Sequence, residues 1–180
     1  KTTMERVFLI GYMGSGKSTI GRSVAKDMGW RFIDMDDYVE RRLGCTISEF
    51  FAKHGEEAFR QAEAEALKEL AKEPKAIIAT GGGAPCHFDN MDVMRAAGLT
   101  IYIKVQPGEL AARLKGAKAK RPIIAGKTDD ELQDFIAAQL TQREPFYNRA
   151  EMAVDGARLP FSAYKPFIET FSLMGGAEGE

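Results

Sequence analysis

Short runs of apolar residues alternate along this chain with longer stretches in which apolar side chains recur every three to four positions. The apolar runs, rich in branched residues, lie at residues 7–10, 30–33, 76–79 and 100–105, with a weaker one at 150–154. Such runs are typical of strands buried on both faces of a parallel sheet, and the stretches between them predict helices. The pattern therefore predicts an α/β fold with helices on both faces of a parallel sheet.

Glycine, proline and capping residues predict where these helices begin and end. Gly44 follows the second helical stretch, as glycine often does at a helix C-terminus. Thr46-x-x-Glu49 is a capping box that opens a short helix, which is broken near Gly55. Pro145 predicts the end of the helix that begins at residue 129, because proline disfavours helical backbone in the residue before it.

The composition fits one globular domain spanning residues 1–180. The chain is 44% hydrophobic and 28% charged, which excludes a disordered chain, and its net charge of −1 argues against a general nucleic-acid binder. No apolar run approaches the roughly 18 residues of a membrane-spanning helix. Cys45 and Cys86 lie far apart, which suits a reducing cytoplasm. We therefore expect a cytoplasmic protein without nucleic-acid or membrane partners, with a disordered tail at residues 175–180.

A glycine-rich loop follows the first apolar run. Residues 11–18, GYMGSGKS, match G-x-x-x-x-G-K-[ST] in full, with a predicted strand before and a helix after. The backbone N–H groups of such a loop turn inward to phosphates, and the helix N-terminus adds partial positive charge. Lys17 is expected to contact the β- and γ-phosphates and Ser18 to bind Mg²⁺. The alternative, a glycine-rich turn with an exposed lysine, is disfavoured by the flanking elements.

Two carboxylates follow the second predicted strand. Asp34 and Asp36 stand at positions i and i+2, which point to the same side of an extended chain. Carboxylates aimed at one place repel unless a cation or proton donor lies between them, and a Mg²⁺ shell with a substrate hydroxyl would supply both. Helix capping is the alternative, but Asp37-x-x-Glu40 has the form of the cap itself. That interpretation leaves Asp34 and Asp36 available for metal and substrate.

Three further features each allow two interpretations. The triple glycine at residues 81–83 offers N–H groups for a carboxylate or hydroxyl, or is a plain turn. Arg60, three residues before Glu63, is either a ligand or half of an exposed ion pair, and Arg143 either a ligand or a partner of the helix dipole. Residues 104–127 carry seven Lys or Arg against one acid, as either a phosphate lid or a solvated loop would.

Together these motifs resemble the shikimate kinase family. The likeness runs from about residue 7 to 154, in the family's order and approximate spacing. It rests on the glycine-rich loop continuing as Thr19-Ile20-Gly21-Arg22, Asp34-x-Asp36, Phe59-Arg60, Thr80-Gly81-Gly82-Gly83, Arg121-Pro122-Ile123-Ile124 and Arg143-x-Pro145-x-Tyr147. Many families share the loop, whereas the aspartate pair, the triple glycine and the Arg-Pro segment together are much more specific.

The resemblance implies a three-layer P-loop kinase fold of the nucleoside-monophosphate kinase type. This fold has a five-stranded parallel sheet, a substrate-binding helical region at about residues 34–62 and a mobile lid at about residues 113–127. The implied reaction transfers a phosphoryl group from ATP to the 3-hydroxyl of shikimate, with Mg²⁺ as cofactor, in aromatic amino-acid biosynthesis. We expect a monomer whose substrates are ATP and shikimate.

The resemblance also implies residue roles. The residues implied to surround the ATP phosphates are Gly14, Ser15, Gly16, Lys17, Ser18 and Thr19. Arg113 would lie against adenine, and Arg121 would close over the transferring phosphate. Ser18 and Asp34 would bind the metal. On the shikimate side Asp36 would accept a hydrogen bond from the 3-hydroxyl, and the carboxylate would be held by Arg60, Arg143 and the backbone of Gly82 and Gly83. The catalytic residues would be Lys17, Asp36 and Arg121.

Other function classes remain as alternatives. Another small-metabolite kinase of the same fold, such as a gluconate kinase or a nucleotide kinase, would need no pair of arginines converging on Asp36. A GTP-dependent switch would need N-K-x-D and D-x-x-G, and the sequence contains neither. A nucleic-acid-handling ATPase is disfavoured by the net charge and the length.

Overall fold

The computed structural model describes residues 4–116 and 125–175, and five strands of these residues form one sheet. In chain order they are β1 (Arg6–Ile10), β2 (Arg31–Asp34), β3 (Ala76–Ala79), β4 (Leu99–Lys104) and β5 (Met152–Asp155). Their order across the sheet is β2-β3-β1-β4-β5, and every neighbouring pair is parallel. The predicted parallel sheet is confirmed, with the strand that precedes the glycine-rich loop at its centre.

Helices connect the strands. In the described residues they are α1 (Lys17–Met28), α2 (Met35–Leu43), α3 (Ile47–Leu70), α4 (Asn90–Ala97), α5 (Pro107–Lys115), α6 (Asp129–Tyr147) and α7 (Tyr164–Gly175), with short 3₁₀ turns at Ala84–Cys86 and Phe161–Ala163. Of these helices, none combines the length and the apolar character needed to cross a membrane.

Two hydrophobic cores lie on opposite faces of the sheet. Phe8 and Ile10 of β1 pack into the core shared with α2 to α6, whereas Val7 and Leu9 pack into the core shared with α1 and α7. All four side chains are buried, and burial of each stabilises the fold by about 1.5–3 kcal/mol. The continuous apolar run arises because both faces of the strand are covered, which confirms the three-layer prediction.

The signals around the third helix act as predicted. The side chain of Thr46 accepts a hydrogen bond from the backbone N–H of Glu49 at 3.1 Å and caps α3. Gly55 has φ 84° and ψ 174°, which interrupts the helical geometry inside α3. The kink separates the first turns of α3 from the segment that carries Phe59 and Arg60.

The start of the second helix differs from the prediction. Asp34, rather than Asp37, is the N-cap of α2, and its Oδ1 accepts the backbone N–H of Asp37 at 3.2 Å. Asp36 and Asp37 lie in the first helical turn, where the helix dipole favours negative charge. Glu40 instead accepts the backbone N–H of Ile47 at 2.9 Å. The prediction was wrong because β2 passes into α2 without a loop, so the carboxylate at the strand end takes the cap.

The prediction that α6 ends before Pro145 is also wrong. The helix runs on to Tyr147, and the backbone N–H of Asn148 still donates to the carbonyl of Glu144 at 2.8 Å. A proline inside a helix loses one hydrogen bond and costs about 3 kcal/mol. The last turn of the helix offsets this cost, because Tyr147 there is completely buried and donates a hydrogen bond to the carbonyl of Gly82.

Parts of the predicted lid and of the predicted tail lie outside the described residues. In the lid these are residues 117–124, which include Arg121, and in the tail they are residues 176–180. The predicted lid begins on α5, and the last residue of that helix, Lys115, pairs with Asp129 at the start of α6, Nζ to Oδ2, at 2.8 Å.

Candidate active site

A cleft of about 500 Å³ opens at the carboxyl ends of β1, β2 and β3. In open parallel sheets such a cleft lies where the chain turns to opposite sides of the central strand, and ligands bind there. The lining brings the glycine-rich loop, the aspartate pair and the triple glycine together: Met13, Gly14, Gly16, Lys17, Ser18, Thr19, Asp34, Asp36, Ala79, Thr80, Gly82 and Arg113.

The glycine-rich loop forms one wall of the cleft. Gly14 has φ 79° and Gly16 has φ 96°, conformations in which a side chain would be strained. Gly16 supplies no side-chain cap to α1, so the amides of its first turn are available to a ligand. Nζ of Lys17 donates to the carbonyls of Gly11 at 2.6 Å and Tyr12 at 3.0 Å, which holds the ammonium group over the loop. Ser15 is buried, and its hydroxyl has no hydrogen-bond partner among the described residues.

Arg113 extends from α5 to the same loop. Its Nη1 donates to the carbonyl of Gly14 at 3.1 Å, and its Nε donates to Glu109 at 3.3 Å. The guanidinium is partly exposed and lines the cleft. The structure therefore brings Arg113 to the wall of the cleft that the glycine-rich loop forms.

Ser18 and Asp34 form a pair of oxygen donors at the floor of the cleft. The Ser18 hydroxyl donates to Oδ2 of Asp34 at 2.9 Å, while the other carboxylate oxygen caps α2. Mg²⁺ takes hard oxygen ligands and usually keeps water and phosphate in its shell, so it needs few protein ligands. Among the described residues no group of three or more His, Cys, Asp or Glu suits a metal. A hydroxyl and a carboxylate beside a phosphate loop fit Mg²⁺.

Asp36 and Glu63 face each other across Gly81. A Cβ atom at Gly81 would lie 2.8 Å from Oδ1 of Asp36 and 3.2 Å from Oε2 of Glu63, so only glycine leaves room for both carboxyls. Desolvation and the charge of Asp34 raise the pKa of Asp36, and the ammonium of Lys17 opposes them. Burial likewise raises the pKa of Glu63, against the attraction of Arg60. Asp36 on the cleft and the buried Glu63 behind Gly81 are therefore two carboxyls that protonate more readily than free ones.

Arg60 is fixed by Glu63 within the protein. Its Nη1 donates to Oε1 of Glu63 at 2.9 Å, and the exposed fractions of the two side chains are 14% and 2%. The interpretation as an exposed ion pair is therefore wrong. Nε of Arg60 is buried without a hydrogen-bond partner among the described residues, since Glu56 lies 3.7 Å away. A Cβ at Gly83 would lie 2.6 Å from Nη2, so the guanidinium lies directly against that glycine.

Arg143 approaches the neighbouring glycine from α6. A Cβ at Gly82 would lie 3.2 Å from its Nη1, and its guanidinium lies over the Tyr12 ring, 5.5 Å from the ring centre. One helical turn later, the hydroxyl of Tyr147 donates to the carbonyl of the same glycine at 2.5 Å. Arg143 thus lies between the Tyr12 ring and the glycine turn, one turn before the helix end. The triple glycine brings both guanidinium groups to one place.

Three residues of this arrangement escaped the sequence analysis as site residues. Glu63 carried a signal, because an acid three residues after Arg60 lies on the same helical face, but its burial did not show in the sequence. Tyr147 lies four residues after Arg143 and would have been found had the helix been expected to continue through Pro145. No pattern pointed to Tyr12.

Comparison with known proteins gives a consistent result. A family model described as shikimate kinase matches residues 13–167. The shikimate kinase of Parabacteroides distasonis is 49% identical over 156 residues, covering 87% of this chain and 90% of the relative. That of Moorella thermoacetica is 44% identical over 149 residues, covering 83% of each chain.

Solved structures show the same likeness. The crystal structure of shikimate kinase from Bacteroides thetaiotaomicron superposes with a TM-score of 0.83 at 39% identity, covering 93% of this chain and 98% of that one. The shikimate kinase of Acinetobacter baumannii in complex with shikimate gives a TM-score of 0.78 at 27% identity, covering 98% and 96%. A gluconokinase from Sinorhizobium meliloti gives 0.61 at 14% identity, which shows a shared fold alone.

Proposed function

Since this chain belongs to the shikimate kinase family, we propose that the cleft transfers the γ-phosphoryl group of ATP to the 3-hydroxyl of shikimate, giving ADP and 3-phosphoshikimate. One observation carries the residue assignment. Arg60 and Arg143 lie against Gly83 and Gly82, and Asp36 lies against the adjacent Gly81. A pair of guanidinium groups next to a carboxylate base is what an acceptor with both a carboxylate and a hydroxyl requires.

The two arginines hold the carboxylate of the acceptor. A guanidinium presents parallel N–H donors that match a carboxylate in a bidentate pair. Arg60 retains a buried Nε without a hydrogen-bond partner among the described residues, and the backbone of Gly82 and Gly83 lies against both side chains. Glu63 already pairs with Arg60, so a bound carboxylate would balance the second positive charge.

Asp36 orients the hydroxyl and takes its proton as the new P–O bond forms and ADP leaves with its bridging oxygen. Its raised pKa brings the carboxyl nearer to that of a useful base. Lys17 leaves the loop carbonyls to contact the β- and γ-phosphates, where a cation stabilises the charge spread over the transferring group. From the family motif alone, Arg121 closes over that group and Arg113 lies against adenine.

Ser18 and Asp34 would hold Mg²⁺, directly or through water. Their oxygens lie 2.9 Å apart beside the phosphate loop, a donor set that fits this ion. The ion supplies charge neutralisation of the ATP phosphates. All residues assigned here come from one chain, so we propose that the monomer is the active form.

The test is ADP release from MgATP with shikimate, gluconate, AMP or no acceptor in parallel. Release that depends on shikimate, with phosphate on its 3-hydroxyl by NMR, is the expected result. The Lys17→Ala protein, purified in the same way, controls for a contaminating kinase. Release with AMP or gluconate instead would keep the phosphate loop and overturn the acceptor assignment.

A further inference from the structure

Tyr147 lies at the last turn of α6, one helical turn after Arg143, and its side chain is completely buried. Its hydroxyl donates to the carbonyl of Gly82 at 2.5 Å. Arg143 lies against the same glycine, and the positive charge of its guanidinium opposes the effect of burial on the pKa of the Tyr147 hydroxyl. The buried hydroxyl, the glycine turn and the guanidinium therefore lie together.

Two contacts fix the position of the Arg143 guanidinium. The Tyr12 ring lies beneath the guanidinium, 5.5 Å from ring centre to carbon. Nη1 lies 3.2 Å from the point where a Cβ of Gly82 would be. Arg143 thus lies between an aromatic face, a backbone turn and a buried hydroxyl. A free arginine side chain loses up to about 2 kcal/mol of rotamer entropy when it is immobilised.

We propose that Tyr147 is a positioning residue for the phosphoryl transfer: its hydroxyl holds the carbonyl of Gly82, and with it the glycine turn against which Arg143 lies, so that the acceptor carboxylate meets a guanidinium already oriented. Preorganisation of this kind raises affinity because the ordering is completed on folding rather than on binding. The inference rests on the proposed function, since it assumes that Arg143 binds the acceptor. Burial raises the pKa of Tyr147 to about 12, so the hydroxyl keeps the proton that it donates to Gly82 near neutral pH.

The chain provides a matched control in Tyr102. This side chain is also buried, its ring centre lies 5.1 Å from that of Tyr147, and its hydroxyl donates to Oε1 of Glu144 at 3.1 Å. Removing either hydroxyl deletes one side-chain hydrogen bond from the same cluster of rings. Of the two hydroxyls, that of Tyr147 bonds the glycine turn beside Arg143, so the two variants separate positioning from general packing.

The experiment compares Tyr147→Phe with Tyr102→Phe in steady-state kinetics. Tyr147→Phe is expected to raise the KM for shikimate about tenfold while leaving the KM for ATP and kcat within about twofold. Tyr102→Phe is expected to leave all three within about twofold. Equal changes in the two variants, or a Tyr147→Phe protein with normal KM for shikimate, would overturn the proposal.

A coupling measurement adds a readout that a purely structural role would not move. If Tyr147 acts through Arg143, Tyr147→Phe should have little further effect on the KM for shikimate in an Arg143→Lys background. Additive effects of the two substitutions would contradict the proposal.

Gly82→Ala provides a second route should Tyr147→Phe fail to fold. It keeps the tyrosine and its carbonyl acceptor but places a methyl group 3.2 Å from Nη1 of Arg143. A raised KM for shikimate with an unchanged KM for ATP is expected, and an unchanged KM for shikimate would overturn the proposal. A wild-type protein without shikimate-dependent ADP release would remove the proposed function as well, whereas an active wild type with an unaffected Tyr147→Phe removes this inference alone.

Discussion

The proposed nucleotide end and the proposed acceptor end of the site are built in different ways. The proposed nucleotide end is one continuous segment, of which residues 13, 14 and 16–19 line the cleft. The acceptor end is assembled from Arg60 on α3, the glycine turn after β3 and Arg143 on α6. The geometry of a contiguous loop is set by its own residues. Side chains from separate elements can bind one ligand only when the fold brings them to one place.

The two ends also hold their cations differently. Lys17 contacts backbone carbonyls of its own loop, which a phosphate can replace as its partner. Arg60 is fixed by the buried Glu63, and Arg143 lies between the Tyr12 ring and the Gly82 turn that the buried Tyr147 holds. This difference indicates a nucleotide end that adjusts to its ligand and an acceptor end that is selective because it is already organised.

The largest effect is expected at the nucleotide end. Lys17→Ala removes the cation that stabilises the transferring phosphoryl group, and kcat should fall about a thousandfold. Shikimate binding, measured by calorimetry, should be retained because the acceptor end is untouched. Lys26→Ala, an exposed change in the last turn of α1, is the matched control. Near-normal turnover in Lys17→Ala would contradict the role of the loop.

The reciprocal change at the acceptor end is Arg143→Lys. A point charge cannot reproduce a bidentate pair or the contact with Tyr12, so the KM for shikimate should rise roughly 10- to 100-fold. The KM for ATP should stay within about twofold. Arg149→Lys, on the surface beside Asp92, serves as control. If both substrates were weakened equally, the two ends would not be independent.

A smaller effect is expected from Glu63→Gln, which keeps the shape and removes the buried charge beside Arg60. The unfolding free energy should drop by about 1–3 kcal/mol, and the KM for shikimate should rise by up to about tenfold. Glu65→Gln, exposed on the same helix, should change neither. Denaturant unfolding and steady-state kinetics measure the two effects. A stable variant with normal kinetics would show that Arg60 needs no fixed partner.

The smallest expected effect is a shift in the pH dependence of kcat/KM for shikimate. Desolvation and Asp34 raise the pKa of Asp36 above the ordinary 3.8. The ionised form is the base, so kcat/KM for shikimate should fall as the pH drops through this raised value, at a higher pH than for a free aspartate. The pKa of Glu63 is raised as well, so Glu63→Gln should give a shallower decline due to Asp36 alone.

This pH profile requires circular dichroism at each pH to establish that the chain stays folded. A rate that remains level down to the ordinary range of an aspartate would contradict the assignment of Asp36 as base.

The predictions that were wrong concern two helix ends at which tertiary structure overrides the local sequence preference. The capping pattern favoured Asp37, but the direct passage from β2 into α2 gave the cap to Asp34. Local preference ended α6 before Pro145, yet burial of Tyr147 carried the helix past it. In both cases the local pattern was ambiguous and a longer-range contact decided the outcome.

The glycine turn shows the same limit at the site itself. The sequence predicted amides offered to a ligand, whereas the structure adds a second reason for three glycines. Methyl groups at these positions would crowd Asp36 and Glu63, Arg143 and Arg60 in turn. These contacts involve atoms from three helices, so the residues around the turn could not predict them.

The sequence by itself determined the alternation of strands and helices, the phosphate loop and the family likeness, because hydrophobic periodicity and a contiguous motif act over a few residues. The tertiary structure alone decided that Arg60 is buried against Glu63, that Tyr147 bonds the Gly82 turn, and that Asp36, Arg143 and Arg60 lie against three consecutive glycines. These contacts join residues far apart in the chain. Their geometry is set by how α3 and α6 pack on the sheet, which no local pattern encodes.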